Sequence, residues 1–202
     1  MAALTMRQKE IIEASVHLIA EGGIQQLTIK NLSRAIGISE PALYRHFHSK
    51  QAILRGLLGF FADESRTVFE RVTGSDRPAR EKLQAILIAH FEQFAKYPPL
   101  SAVLFSEEIF QNDGVLAQKV LEIMDTGQSY LLKIVLQGVT AGEFRDDLPA
   151  EHLVAVIMGA LRLMVTKWRL SKYGFDLRRE GATLWNSLGV LVSSIGAAGD
   201  RG

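Results

Sequence analysis

Apolar residues recur along most of the chain at spacings of three and four, the period of an α-helix lying against a core. Ile11, Ile12, Ser15, Leu18 and Ile19 share one face and predict a first helix over about 5–21. Gly22 and Gly23 stop it, because glycine enters the left-handed cap conformation without a Cβ penalty. Thr28 opens a short second helix with Leu32, Ala35 and Ile36 inward, and Gly37 ends it. Ser39 caps a third, which carries Leu43, Tyr44 and Phe47, and Ser49 caps a fourth that runs to about Val72. The polar stretch Thr73–Asp76 divides the chain. Beyond it the periodicity predicts helices over about 78–97, 99–110, 113–141, 149–172 and 177–195, with a polar loop at Gly142–Leu148 and a frayed tail from Gly196 to Gly202. Strict apolar alternation and hairpin turns between such runs are missing, so strands are not predicted. The expectation is an all-α protein of about nine helices, four before the polar divide and a separate helical bundle after it.

The segment Thr28–Lys50, TIKNLSRAIGISEPALYRHFHSK, sets two short helices on either side of Gly37-Ile38-Ser39. Glycine supplies the positive φ of the turn, Ile38 plugs the angle between the helices, and Ser39 satisfies free amides of the helix it opens. Small Ala35 lets the helices approach, and Leu32, Leu43 and Phe47 bury against the first helix. The result is a tight helix-turn-helix whose outer face carries Ser39, Glu40, Ala42, Tyr44, Arg45, His46 and His48.

The N-terminal part of such a second helix enters the DNA major groove. Arg45 suits a bidentate pair with guanine, and Ala42 suits a thymine methyl. Thr28, Tyr44, His46 and Lys50 suit phosphates, and Thr28 and Lys50 each stand at a helix start, where free amides add to anion binding. Glu40 repels phosphate, so it either accepts from a cytosine amino group or lies off the groove. The DNA-contact set expected is Thr28, Lys30, Ser39, Glu40, Pro41, Ala42, Tyr44, Arg45, His46 and Lys50.

Charge neither strengthens nor weakens that reading. Lys plus Arg is 23 against 22 Asp plus Glu, a net +1, and residues 1–50 hold six basic side chains against four acidic ones. The 202 residues, 48% of them hydrophobic, suffice for one domain or for a small and a larger one. The absence of cysteine excludes disulfides, thiolate metal sites and cysteine nucleophiles, and it fits a reducing compartment. The N-terminus lacks the order of a signal peptide, and the most apolar stretch, Leu188–Ala198, is well short of the ~20 residues that span a bilayer. A cytoplasmic protein is expected, with no metal, no cofactor and no catalytic residues.

The run Leu32-x-x-Ala35-x-Gly37-x-Ser39-x-x-x-Leu43-Tyr44-x-His46-Phe47-x-x-Lys50 resembles the signature of the TetR family of bacterial transcriptional regulators. The first helix, Gly22-Gly23 and Thr28 fit the elements that precede it, so the likeness covers about residues 7–60; the remainder matches by helix count and length only. The resemblance implies an all-helical homodimer that binds double-stranded DNA at a palindromic operator. It implies a helix-turn-helix DNA-binding domain at 1–50, a connecting helix at about 50–72, and an effector-binding and dimerisation domain at 77–198. The function it implies is a sequence-specific regulator, a repressor that a small apolar effector releases. The alternative is a helical sensor or carrier of small molecules that does not bind DNA.

Candidate effector-pocket residues are Leu87, His90, Phe91, Phe94, Phe105, Phe110, Met124, Met164 and Trp168, all apolar or aromatic except His90. His90 is either a core histidine bonded to a neighbouring helix or a polar anchor within the pocket. The last two helices carry wide apolar bands, and Leu153, Val156, Leu161, Trp185, Leu188, Leu191 and Ile195 are the candidate dimer residues. Two such helices from each subunit make a four-helix bundle, unless the bands close only the chain's own core.

Overall fold

The computed structural model describes residues 4–105 and 113–194. The described residues form nine α-helices: α1 (Met6–Gly22), α2 (Ile29–Ala35), α3 (Glu40–Tyr44), α4 (Lys50–Thr73), α5 (Ala79–Lys96), α6 (Pro99–Leu104), α7 (Gly114–Thr140), α8 (Ala150–Leu170) and α9 (Leu177–Val192). A single 3-10 turn, Ile24–Gln26, joins α1 to α2. Among the described residues the one β-type pairing is an isolated bridge between Phe144 and Ser193. No described helix is long and apolar enough to cross a membrane.

The helices begin where side chains satisfy their free amides. Thr5 and Gln8 form a capping box on α1. Thr28 accepts from the Asn31 amide at 3.1 Å, Ser39 from Ala42 at 3.3 Å, and Ser49 from Ala52 at 3.1 Å. Asp113 and Asp176 do the same for α7 and α9.

The described residues within Met1–Glu64 and Tyr97–Glu122 make one compact unit, and those within Ser65–Lys96 and Ile123–Gly202 make a second. In the first, Ile11, Ile12 and Ile19 of α1 are buried with Leu27, Leu32 and Leu43. Ala35 is exposed, which corrects the sequence expectation. Ser33 takes the inward place instead, because its hydroxyl donates to the Lys30 carbonyl at 3.0 Å and so can be buried without an unmet bond. The inward face of α2 is therefore Ile29, Leu32, Ser33 and Ile36.

In the second unit α5 lies closely along α9. A Cβ at Gly181 would stand 2.6 Å from the Phe91 Cγ, so only glycine admits this approach. The loop expected to be simply polar holds a core residue: Phe144 is 2% exposed and its ring lies over Gly138 of α7. Beside it, both Glu143 carboxylate oxygens accept from the first amides of α5, Ala79 and Arg80, at 3.0 Å. The Arg80 guanidinium donates to the Gly189 carbonyl at 2.9 Å and to Ser193 Oγ at 2.7 Å, and lies 5.7 Å from the Trp185 ring centre. A carboxylate thus sits at the positive end of α5 and a guanidinium at the negative end of α9. The predicted end of the helix over 99–110, with Phe110, and the predicted tail, with Ile195, lie outside the described residues.

Candidate nucleic-acid interface

The turn between α2 and α3 is built by local chemistry. Gly37 has φ 68°, and the Ile38 amide donates back to the Ser33 carbonyl at 3.0 Å. Leu32 and Leu43 are fully buried, Phe47 is 6% exposed, and Ile38 is half-buried between the helices. The Gln8 side-chain amide reaches the His46 carbonyl at 3.3 Å, so α1 also holds the chain just beyond α3.

That buried rear leaves an outward face. Ser39, Glu40, Pro41, Tyr44 and Arg45 are exposed, while Ala42 and His46 are half-buried. Tyr44, at 44% exposure, is a large ring left open beside two side chains buried for support, Leu43 and Phe47. The regular part of α3 is only five residues long, so Arg45 stands at its C-terminal cap and His48 beyond it. Thr28 and Lys30 are exposed on and before α2. Arg34, absent from the sequence-derived set, is exposed as well; its basic side chain in the last turn of α2 was the available signal.

Lys50 stands apart. It is half-buried, its ammonium donates to the Ile24 carbonyl at 3.0 Å, and burial pushes its pKa below the ordinary lysine range.

The candidate pocket residues are only partly brought together. Leu87, Phe91 and Phe94 are buried on α5, and Trp168 is buried on α8 with its indole donating to the Phe175 carbonyl at 2.9 Å. Met164 is half-buried, and Met124 is 41% exposed. Phe105 is half-buried in the other compact unit, and Phe110 is not among the described residues. His90 Nδ1 lies 3.0 Å from the carbonyl of Ile86 on its own helix, not from a neighbouring one. Phe69 of α4 stacks on Tyr130 of α7, with ring centres 4.9 Å apart, and lies against His90 at 5.2 Å. Burial pushes the His90 imidazole below the ordinary histidine range, and its bond to Ile86 opposes that in part. Among the described residues no group of three or more histidine, aspartate or glutamate side chains can hold a metal ion.

The candidate dimer residues divide by face. Leu153, Trp185 and Leu188 are buried within the chain's own unit, which corrects their expected place on a surface, and Leu161 is half-buried. Val156 and Leu191 are each 54% exposed. Leu163, Leu170 and Val190 are exposed too and stand outside the candidate set. For Leu163 and Leu170 the signal was their seven-residue spacing with Val156, on the side of α8 opposite the strongest stripe.

Comparison with known proteins agrees with this geometry. The profile of the family described as "Bacterial regulatory proteins, tetR family" matches residues 11–57, and that described as "YsiA-like protein, C-terminal region" matches residues 57–190. The fatty acid metabolism regulator protein of Bacillus subtilis (strain 168) is 29% identical over 199 residues, covering 94% of this chain and 98% of its own. The crystal structure of the transcriptional regulator FadR from Bacillus subtilis in complex with stearoyl-CoA matches with a TM-score of 0.75 at 26% identity, covering 93% of this chain and 97% of that one. The ketosteroid transcriptional regulator KstR2 of Mycobacterium tuberculosis shares the fold, with a TM-score of 0.77 at 20% identity over 95% of this chain and 97% of that one. The chain therefore belongs to the tetR family of bacterial regulatory proteins, and it is a DNA-binding transcriptional regulator rather than an enzyme.

Proposed function

We propose that the chain is a homodimeric repressor that a ligand with a long apolar chain, of the fatty acyl thioester class, releases from a palindromic operator. The observation that carries the DNA half is the outward face of α3. Ser39, Glu40, Pro41, Tyr44 and Arg45 are presented on a rear of fully buried leucines and a fixed glycine turn. With Thr28, Lys30, Ala42 and His46 they supply hydroxyl, cationic and apolar contacts to one groove and its flanking phosphates. Two such heads in a dimer sit about 34–36 Å apart, one turn of DNA.

The exposed apolar side chains Val156, Leu163, Leu170, Val190 and Leu191 support pairing of α8 and α9 with a second copy in a four-helix bundle. The apolar α5 residues Leu87, Phe91 and Phe94, with His90, support an effector site in the 77–198 region. The likeness to a regulator in complex with stearoyl-CoA supports the effector class. For release, the effector must bind the DNA-incompetent arrangement more tightly, with a coupling of about 1–3 kcal/mol typical of such linkage.

The test titrates the protein onto a duplex from upstream of its own gene and follows fluorescence anisotropy at several salt concentrations. Salt-dependent binding that stearoyl-CoA reverses, and free coenzyme A does not, is the expected result. No binding to that duplex or to duplexes selected from random sequence refutes the DNA half. Binding indifferent to every acyl chain length refutes the effector half.

A further inference from the structure

We infer that Arg80, Glu143 and Arg145 are positioning residues: together they fix the last turn of α9 as a preformed part of the surface that pairs with a second copy, and they tie that turn to the start of α5. This rests on the proposed reading that α8 and α9 pair between copies. The last turn of a helix ordinarily frays, because its carbonyls have no amides ahead of them. In α9 each of these carbonyls has a donor. Gly189 accepts from the Arg80 guanidinium at 2.9 Å and from the Ser193 hydroxyl at 2.6 Å. Val190 accepts from the Ser193 amide at 3.3 Å, Leu191 from the Arg145 guanidinium at 3.3 Å, and Val192 from the Arg145 amide at 2.9 Å. Both guanidiniums are themselves held. Arg80 also donates to Ser193 Oγ and lies against the Trp185 ring, and Arg145 is forked onto Asp147 by two bonds of 2.7 Å. Gly189 leaves the room that Arg80 needs, since a Cβ there would stand 2.7 Å from its Nη2.

The turn held in this way is the one that leaves Val190 and Leu191 exposed. From Gly181 to Ser194 the chain carries no charged side chain. Ala182, Asn186 and Val190 fall on one exposed face at four-residue spacing, with Thr183 and Ser187 beside them. Small, uncharged side chains admit a second helix closely and set no like charges against each other across a two-fold axis, so the occupant of this face is a second copy of the chain. A turn ordered beforehand loses little freedom on pairing, which strengthens association. The tie to α5 runs through adjacent groups. The Glu143 carboxylate holds the amides of Ala79 and Arg80, the Arg80 side chain holds Gly189, and the Glu143 carbonyl accepts from the Ser194 amide at 3.3 Å. A displacement of the start of α5, the helix that carries Leu87, His90 and Phe94, is thereby carried to the pairing turn.

The test compares the full chain with Arg80→Met, which keeps the apolar stem and removes the guanidinium, and with Glu143→Gln, whose side chain bonds to α5 and not to α9. Sedimentation velocity over a dilution series gives the dimer dissociation constant. Amide exchange at Val190, Leu191 and Val192 is read in a Leu163→Arg background, to remove the contribution of pairing. Arg80→Met should raise both the dissociation constant and the exchange rates by about tenfold, the scale of losing a bond from a charged donor, with helix content unchanged. Glu143→Gln should weaken pairing in the same direction. The double variant should weaken it by less than the product of the two single effects, because both break one link. An unchanged dissociation constant in Arg80→Met, or unchanged exchange, overturns the positioning role. An unchanged dissociation constant in Glu143→Gln, or single effects that simply multiply, overturns the tie to α5. If the wild-type chain stays monomeric at every concentration, the pairing reading fails and the partner assigned to this face fails with it, while the exchange rates still decide whether the clasp fixes the turn. Ser193→Ala, which removes one acceptor of Arg80, serves in the same measurements if Arg80→Met does not fold.

Discussion

Two glycines set the path of the chain into and out of the α2 region, and they differ in a way that substitution can resolve. Gly23 has φ 77° and ψ −179°, and Gly37 has φ 68°. A Cβ added at either would meet nothing within 4 Å, so a side chain there probes backbone strain alone. At Gly37 the left-handed conformation costs an L-residue about 1–2 kcal/mol. Alanine's smaller freedom in the unfolded chain offsets about 0.4–1 kcal/mol of that. Gly37→Ala should therefore destabilise by about 0.5–1.5 kcal/mol, and Gly37→Asn by less, because asparagine tolerates this region. At Gly23 the extended ψ with positive φ is a region essentially closed to all but glycine, worth about 1–3 kcal/mol, and asparagine brings no relief.

The four variants are unfolded in urea and followed by far-ultraviolet circular dichroism, with the denaturant slope checked for constancy. Both tryptophans, Trp168 and Trp185, belong to the second unit, so fluorescence recorded in parallel shows whether the loss stays in the first. Asparagine no better than alanine at position 37 would refute the account of that turn. Asparagine relieving position 23 as fully would refute the distinction between the two glycines.

Four further outcomes are expected. Gly181→Ala should cost about 1–3 kcal/mol, because its methyl would sit 2.6 Å from Phe91 Cγ, and Phe91→Leu in the same chain should recover part of the loss; strictly additive denaturation energies would count against this contact. Leu163→Arg, at a position 62% exposed, should leave helix content intact and yield monomers in sedimentation velocity, whereas an undisturbed dimer would remove α8 from the interface. Arg45→Ala should lower discrimination at one base position by about 1–3 kcal/mol in a competition between duplexes, while a uniform loss across sequences would make Arg45 a phosphate contact. Burial lowers the His90 pKa, so the native state binds fewer protons than the unfolded chain. Stability from this site is present above the ordinary histidine value of about 6.5 and lost as pH falls through it towards the folded value. His90→Phe should flatten the decline measured by urea unfolding between about pH 8 and pH 5, and an unchanged profile would remove His90 as its source.

The parts of this molecule that were legible in the sequence are those settled by neighbours within four residues. Thr28, Ser39 and Ser49 mark helix starts because a hydroxyl three residues before a free amide is enough to cap it. Gly37 marks the turn because positive φ is a property of one residue. Errors arise where a distant partner decides. Ser33 is a local exception, since a bond to the Lys30 carbonyl only three residues back lets it lie inside in place of Ala35. Phe144 looks like a stray aromatic in a polar loop until Gly138, on α7, leaves room for its ring. Lys50 reads as a free cation at a helix start, and only folding brings the Ile24 carbonyl to it.

The apolar bands of α8 and α9 show the same division on a larger scale. Periodicity identifies which positions are apolar, but not which surface each will meet. On α8 the inward set is Leu153, Ile157, Val165 and Trp168, and their burial completes the chain's own core. Val156, Leu163 and Leu170 then remain outside at seven-residue intervals, 54%, 62% and 72% exposed. Single exposed leucines are ordinary, whereas a row of them at heptad spacing on one helix, with Val190 and Leu191 exposed on the next helix in the chain, is not. Removing such surface from water is worth about 25 cal/mol per Å², and among the described residues these side chains stay open to water. A helix apolar on two sides therefore has one side that its own fold uses and one that the proposed pairing with a second copy would cover. Separating the two sides requires knowing which one the fold has already used, and that knowledge removes Leu153, Trp185 and Leu188 from the proposed interface, keeps Val156 and Leu191, and adds Leu163, Leu170 and Val190.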